Sequence, residues 1–202
     1  MKKKLLVLFF ISFVFSIFLV GCGKEVKNTE DGIEYLKSLD SYSSDINIKI
    51  ENDKQVVNYN GKQAYSKKYG QRLDLEKNRI LIYKENKIYV KDIHNGFNYD
   101  TDKDFDSVFK QSFIGEYINL IYTNEKIKTF YKNIDNNEFQ VIELDIPGNN
   151  KNIDKAELYI NATGFTPKYL YIYDNKNRKK ITVEYSNFAA NTELDKELFN
   201  VE

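Results

Sequence analysis

The sequence predicts an α+β domain built on a strongly curved antiparallel sheet, a half-open barrel of about ten strands with helices over its concave face. Two observations predict it. Short runs rich in tyrosine and isoleucine, alternating with polar residues, recur along most of the chain with hairpin-length breaks between them. Two other stretches carry apolar residues at helical spacing. So many antiparallel strands in one sheet tend to curl or close.

The N-terminus comes first. Lys2, Lys3 and Lys4 form a positive head, and Leu5 to Val20 is apolar except for Ser12 and Ser16. Charge, apolar stretch and the small residue Gly21 follow the order of a secretory signal. The apolar run is near the lower limit for a membrane span, which needs roughly 20 residues, so an uncleaved helix is the competing reading. Leu19-Val20-Gly21-Cys22 tips the balance, because it resembles a lipobox whose cysteine is diacylated and becomes the new N-terminus. The expected layout is a lipoprotein signal peptide at 1–21, a tether at 22–28 and a single domain at 29–202. The expected address is the extracytoplasmic face of the cell membrane, including the forespore membrane in a sporulating cell. Two acyl chains anchor stably where one does not.

Cys22 is the only cysteine, so the chain cannot form an internal disulfide and its domain must rely on its core. Losing the three head lysines leaves 27 basic against 30 acidic residues, a formal charge of −3. That balance, with export, excludes nucleic acid as a partner and gives no polybasic attraction to lipid.

A helix is expected near 29–39, with Thr29 as cap, Glu30 and Asp31 in its first turn, and Ile33, Tyr35, Leu36 and Leu39 on one face. Strands are expected at 42–50, 57–65, 69–76, 80–83 and 88–90. Asn95-Gly96 marks a turn, and Asp100 to Asp106 reads as a solvated acidic loop. Phe109, Phe113, Tyr117, Leu120 and Ile121 then place a helix at about 112–123. Strands resume at 127–132, 138–146, 154–161, 167–174 and 179–188. The tail from Glu193 to Phe199 reads as a short turn with three apolar anchors.

Catalytic chemistry is scarce. His94 is the only histidine, which excludes a zinc site built from several histidines, and no Gly-x-Ser-x-Gly elbow accompanies it. It reads as a solvated turn residue. Alternate carboxylates from Asp100 to Asp106 resemble the start of a calcium loop. Phe105, however, stands where glycine is needed, and Gln111 where a bidentate glutamate is needed. No carboxylate pair stands out for glycoside hydrolysis. Asn161-Ala162-Thr163 reads as a turn, and the basic run Lys176 to Lys180 as a solvated hairpin tip. The chain is therefore expected to be no enzyme and to need no cofactor or metal.

The C-terminal half carries a family pattern. Strand Ala156 to Ile160 leads to Gly164-Phe165-Thr166-Pro167 and then Lys168 to Asp174. Ile181 to Phe188 follows, and Asn191-Thr192-Glu193-Leu194-Asp195 closes with Phe199. This resembles the superfamily of LolA-like lipoprotein carriers and their Gram-positive relatives. Within it, the length, the lipobox and the Asn/Lys/Tyr/Ile-rich composition are similar to the family of the spore germination lipoprotein GerS and GerS-related proteins. That resemblance implies a non-catalytic partner of an exported N-acetylmuramoyl-L-alanine amidase, acting in cortex muramic-δ-lactam formation and germination. The alternative is a carrier that holds acyl chains in the barrel groove. The stripe from Phe109 to Ile121 serves either reading, as packed core or as pocket lining. Self-association as a homodimer stays open, and no ligand-binding residue is assigned.

Cys22 is the expected lipidation site. Labelled palmitate should mark the wild-type protein and leave Cys22→Ala unlabelled; equal labelling of both would sink the assignment.

Overall fold

The computed structural model describes residues 28–76, 78–123 and 126–201. The expected signal peptide at 1–21 and Cys22 lie outside the described residues. Helix α1 spans Asp31–Lys37 and is followed by strands β1 (Ser41–Glu51), β2 (Val56–Ser66), β3 (Gly70–Leu75), β4 (Arg79–Lys84), β5 (Lys87–Asp92) and β6 (Phe97–Asp102). Helix α2 spans Ile114–Thr123. Strands β7 (Lys128–Ile134), β8 (Asn137–Asp145), β9 (Lys155–Asn161), β10 (Pro167–Tyr173) and β11 (Lys179–Ala190) complete the fold, with a 3-10 turn at Lys196–Phe199.

Among the described residues there is one eleven-stranded sheet, in the order β6-β5-β4-β3-β2-β1-β11-β10-β9-β8-β7. Neighbouring strands pair antiparallel throughout. Two meanders, β1 to β6 and β7 to β11, are therefore fused by the pairing of β1 with β11. Both expected helices and all ten expected strands are present. The eleventh, β6, falls on what the sequence offers as a turn and the head of an acidic loop. Its residues Phe97 to Asp100 are all exposed, so this edge strand buries neither face and leaves no apolar alternation to read. Charges on an edge also discourage pairing with another chain.

Side chains alternate across β1. Tyr42, Ile46 and Ile48 point into the core, while Asp45 and Asn47 lie on the other face. Both helices cover the inner face. Phe113, Ile114, Tyr117, Ile118 and Ile121 are buried from α2 and the turn before it, and each fully buried side chain of this kind is worth about 1.5–3 kcal/mol. Gly115 lets α2 approach β2 closely, because a Cβ there would run into the Tyr65 ring. Helix α1 covers the other half, where Gly32 sits against Gln140 of β8 and Ile160 of β9. Thr29 does not cap α1, because the N-cap position falls one residue later, on Glu30, whose side chain makes no capping bond; the Thr29 carbonyl accepts from the Gln140 amide. Just before the helix, Asn28 Oδ1 accepts the Glu30 N–H at 3.1 Å.

Several buried polar groups beneath the start of α2 bond one another. Tyr42 Oη accepts the Ile114 N–H at 3.0 Å. Tyr185 donates to the Ser112 carbonyl at 2.7 Å, and the Gln63 amide donates to Ser112 Oγ at 2.6 Å. Burial raises the Tyr42, Tyr117 and Tyr185 hydroxyls above the usual tyrosine range, so they serve as neutral hydrogen-bonding groups.

The C-terminal tail anchors as expected. Asp195 accepts the Glu197 N–H at 2.9 Å, Phe199 is buried beside Tyr69, and the Leu198 carbonyl accepts from Arg72 at 2.9 Å. Gly164 has φ +96 with open space around it, so a side chain there meets backbone strain rather than a clash. Phe199→Ala should cost about 3–5 kcal/mol, and Gly164→Val roughly 1–3 kcal/mol. Urea unfolding measures both; unchanged midpoints would contradict these placements.

Asp174 fixes the β10–β11 hairpin. Its buried carboxylate accepts the Lys176 and Arg178 N–H groups at 2.9 Å each and the Arg178 guanidinium at 2.8 Å. Burial pushes its pKa up, but these Arg178 and Lys176 hydrogen bonds outweigh it and hold the group at about 2. A depressed folded pKa stabilises above the unfolded value of about 3.9 and is lost as pH falls through the folded one. The urea-midpoint gap between wild type and Asp174→Asn should therefore be constant above pH about 5 and close as the pH falls toward about 2. A gap independent of pH would show that the Asp174 charge adds nothing.

Candidate functional site

A ligand on the inner face would need apolar side chains left uncovered there. Phe113, Tyr117 and Ile121 are buried, and Phe109 and Leu120 pack half-buried against the same core cluster. The apolar stripe is thus spent on the sheet. Edge-on contacts reinforce it, Tyr83 against Phe113 at 5.3 Å and Tyr59 against Phe109 at 5.2 Å.

The opposite face is open. A groove of about 870 Å³ crosses β11, β1, β2, β3 and β4 there. The register explains its lining. Asp45 on β1 lies across from Lys62 on β2, and Lys62 across from Asp74 on β3. Asn47 lies between Asn60 and Glu184. All of these alternate with inward-facing Ile46, Ile48, Leu73 and Leu75. Asn47 donates to Asn60 at 2.8 Å and forms the floor.

Charges in the groove are largely matched. Asp45 lies 3.7 Å from Lys62 and accepts from the Asn187 amide at 2.7 Å. Asp74 is held by the Arg72 guanidinium through two bonds, 2.8 and 3.2 Å. Glu184 pairs with Lys168 at 2.9 Å. Each of these carboxylates is a held acceptor, so the arrangement offers hydrogen bonds and ion pairs to a partner rather than a general acid and base. Among the described residues, no group of three or more His, Cys, Asp or Glu could hold a metal ion.

The residues singled out by sequence do not converge on this groove. His94 is exposed in the turn at 93–96. Asp106, at the end of the acidic stretch, accepts the Val108, Phe109 and Lys110 N–H groups and the Tyr83 hydroxyl, which makes it a structural turn residue. Asn161 accepts the Thr163 N–H at 2.8 Å in the expected turn. The basic run is partly tied down, with Arg178 and Lys180 near Asp174 and Asp53. The groove residues were missed because adjacency across five strands depends on register, which no local pattern encodes.

Known proteins share this architecture. The chain is similar in shape to an uncharacterized conserved protein from Thermus thermophilus, with 8% identity, 85% of this chain and 91% of that one covered, and a TM-score of 0.53. It is also similar to a chain from the structure of the CwlD amidase from Clostridioides difficile in complex with the GerS lipoprotein, with 24% identity, 79% and 92% covered, and a TM-score of 0.48. A LolA superfamily protein from Nitrosomonas europaea shares 12% identity over 85% and 97%, with a TM-score of 0.44. No curated protein matches the chain. The model of the sporulation protein YdcC-like family matches residues 2–199. The chain belongs to the sporulation protein YdcC-like family.

Proposed function

We propose that this protein is a lipid-anchored, non-catalytic accessory factor of sporulating cells. It binds an exported N-acetylmuramoyl-L-alanine amidase and is needed for muramic-δ-lactam formation in the cortex. The observation that carries the reading is the division of labour between the sheet faces: the inner face is filled by its own helices, and the outer face presents a groove in which charged and amide side chains stand beside the isoleucines Ile80 and Ile93. Membership of a sporulation family supplies the setting. The sequence resemblance to GerS supplies the class of partner to test. The lipobox at Cys22 supports anchoring beside the wall.

In this reading residues 29–202 form one domain, and the sheet curves into a half-open barrel around α1 and α2. One core cluster supports the curvature, since it runs from Leu81 and Val90 near one edge to Ile142 and Leu144 near the other. The groove is the docking face, and a standard interface of about 1,600 Å² in total fits a domain of this size. The carrier reading needs an open apolar groove, which a filled inner face does not support.

The full-length protein, tagged and solubilised from sporulating cells, should recover an amidase. A paired reversal at the groove, Lys62→Glu with Asp74→Lys, should reduce that recovery at least tenfold, about 1.4 kcal/mol. Deletion should remove muramic-δ-lactam from the cortex, and the purified protein alone should release neither peptide nor sugar from peptidoglycan. Normal cortex in the deletion strain, with phospholipid bound to the purified protein, would instead establish the carrier.

A further inference from the structure

A second outer surface lies beside the groove, on β7 to β10. Phe139 and Val141 of β8 and Tyr159 of β9 form their own buried cluster, with Tyr169 and Tyr171 of β10 packed on it. Among the described residues no helix covers this cluster; its lid is made of tyrosine rings and lysine chains. Tyr169 and Tyr171 are stacked, with centroids 5.9 Å apart and planes 14° apart. Tyr159 meets Tyr171 edge-on at 4.9 Å. Glu157 accepts from the Tyr159 and Tyr173 hydroxyls at 2.8 and 3.0 Å, which locks the row.

Ammonium groups ride over these rings. Lys179 Nζ lies 4.3 Å from the Tyr171 centroid, and Lys132 Nζ lies 5.6 Å from that of Tyr159 and 3.2 Å from its hydroxyl. Neither lysine pairs with a carboxylate among the described residues, and both are exposed. At the end of the row a pocket of about 370 Å³ is walled by Phe139 and Tyr169 and lined by Asn137, Asn161, Asn187 and Lys168, with one carboxylate, the exposed Asp135, at its rim.

We propose that this tyrosine–lysine face binds a carboxylate-bearing, N-acetylated glycan strand. A pyranose has an apolar C–H face that lies on a tyrosine ring and a belt of hydroxyl and amide groups that asparagine side chains can hydrogen-bond. Rings already fixed by Glu157 and by one another lose little freedom on binding. Lys132 and Lys179 complement carboxylates, and their charge over a ring is available for a desolvated anion without breaking an ion pair. A peptidoglycan strand whose stem peptides have been removed carries both features, an acetamido group on each sugar and a free lactyl carboxylate on alternate ones. The proposal rests on the exported setting given above, and the ligand it selects is what an amidase leaves behind.

Calorimetric titration of the full-length protein in detergent, with peptide-free peptidoglycan strands and with neutral chitotetraose, tests it. The strands should bind, with affinity falling as salt rises, and chitotetraose should bind at least tenfold more weakly. Tyr171→Ala should weaken both ligands at least tenfold, while Tyr171→Phe should retain them. The exposed-site change Lys179→Glu, which leaves the fold alone, should weaken the charged strands more than chitotetraose. Absence of strand binding, or binding indifferent to both Tyr171→Ala and Lys179→Glu, would overturn the proposal. Loss of amidase recovery in Lys179→Glu without any strand binding would also overturn it and assign this face to the protein partner. Strand binding that persists in a protein recovering no amidase would uphold this face and reject the partner reading separately.

Discussion

The pairing of β1 with β11 holds the architecture together. Every other strand pair joins neighbours along the chain, and each such hairpin could form locally. β1 and β11 instead bring Tyr42 opposite Ala190 and Ile50 opposite Ile181, across most of the domain. Without that ladder the two meanders would be separate sheets, each with one more open edge. The ladder carries a register shift between Ser43 and Asp45. Asn187, at φ +51, lies on the bulged partner strand, and Ser44 Oγ donates to the carbonyls of Asp45 and Ser186 there at 2.8 and 2.9 Å. Such a non-local pairing must close a long loop before its contacts form, which is the slow step expected for this topology.

That ladder also decides where α2 can sit. Tyr42 and Tyr185 come from β1 and β11, and their hydroxyls meet the backbone at the start of α2. A buried N–H or carbonyl left unpaired would cost roughly 1–3 kcal/mol, so the two tyrosines specify the docking position as well as stabilise it. The same alternation that sends Tyr42, Ile46 and Ile48 inward sends Asp45 and Asn47 outward. Core and candidate binding face are thus two readings of one strand, and a one-residue slip would destroy both.

Much of this was legible in the sequence for a physical reason. Strands with one buried face leave a period of two, and α2 leaves its aromatic stripe. What failed to show follows the same logic. β6 buries neither face, so nothing marked it. Thr29 looked like a cap, but the helix starts one residue later than its cap pattern implies, with Glu30 at the N-cap. The groove needs Asp45, Lys62 and Asp74 to be neighbours, and they become so only through register. The tyrosine row was visible as Tyr169, Tyr171 and Tyr173 at alternate positions, yet strand preference alone explains tyrosine there. Its distinctive feature, lysines over the rings, arises from β7 and β11, which lie on either side of it in space.

The two outer surfaces meet along β11, at Ser186, at the Asp45–Asn187 bond and at an ion pair. Glu184 lines the groove, Lys168 lines the aromatic pocket, and they bind each other at 2.9 Å. On one side of that boundary four carboxylates, Asp45, Asp74, Glu76 and Glu184, face Lys62 and Arg79. On the other, Lys132 and Lys179 rise over tyrosine rings and, among the described residues, pair with no carboxylate. A ligand suited to one surface is therefore repelled or left unsatisfied by the other, which separates a protein partner from an anionic strand without walls between them. Because both surfaces belong to one rigid sheet, their spacing is set by the strands rather than by a hinge. On the proposed reading, a partner in the groove and a strand on the tyrosines would then be held side by side on one sheet.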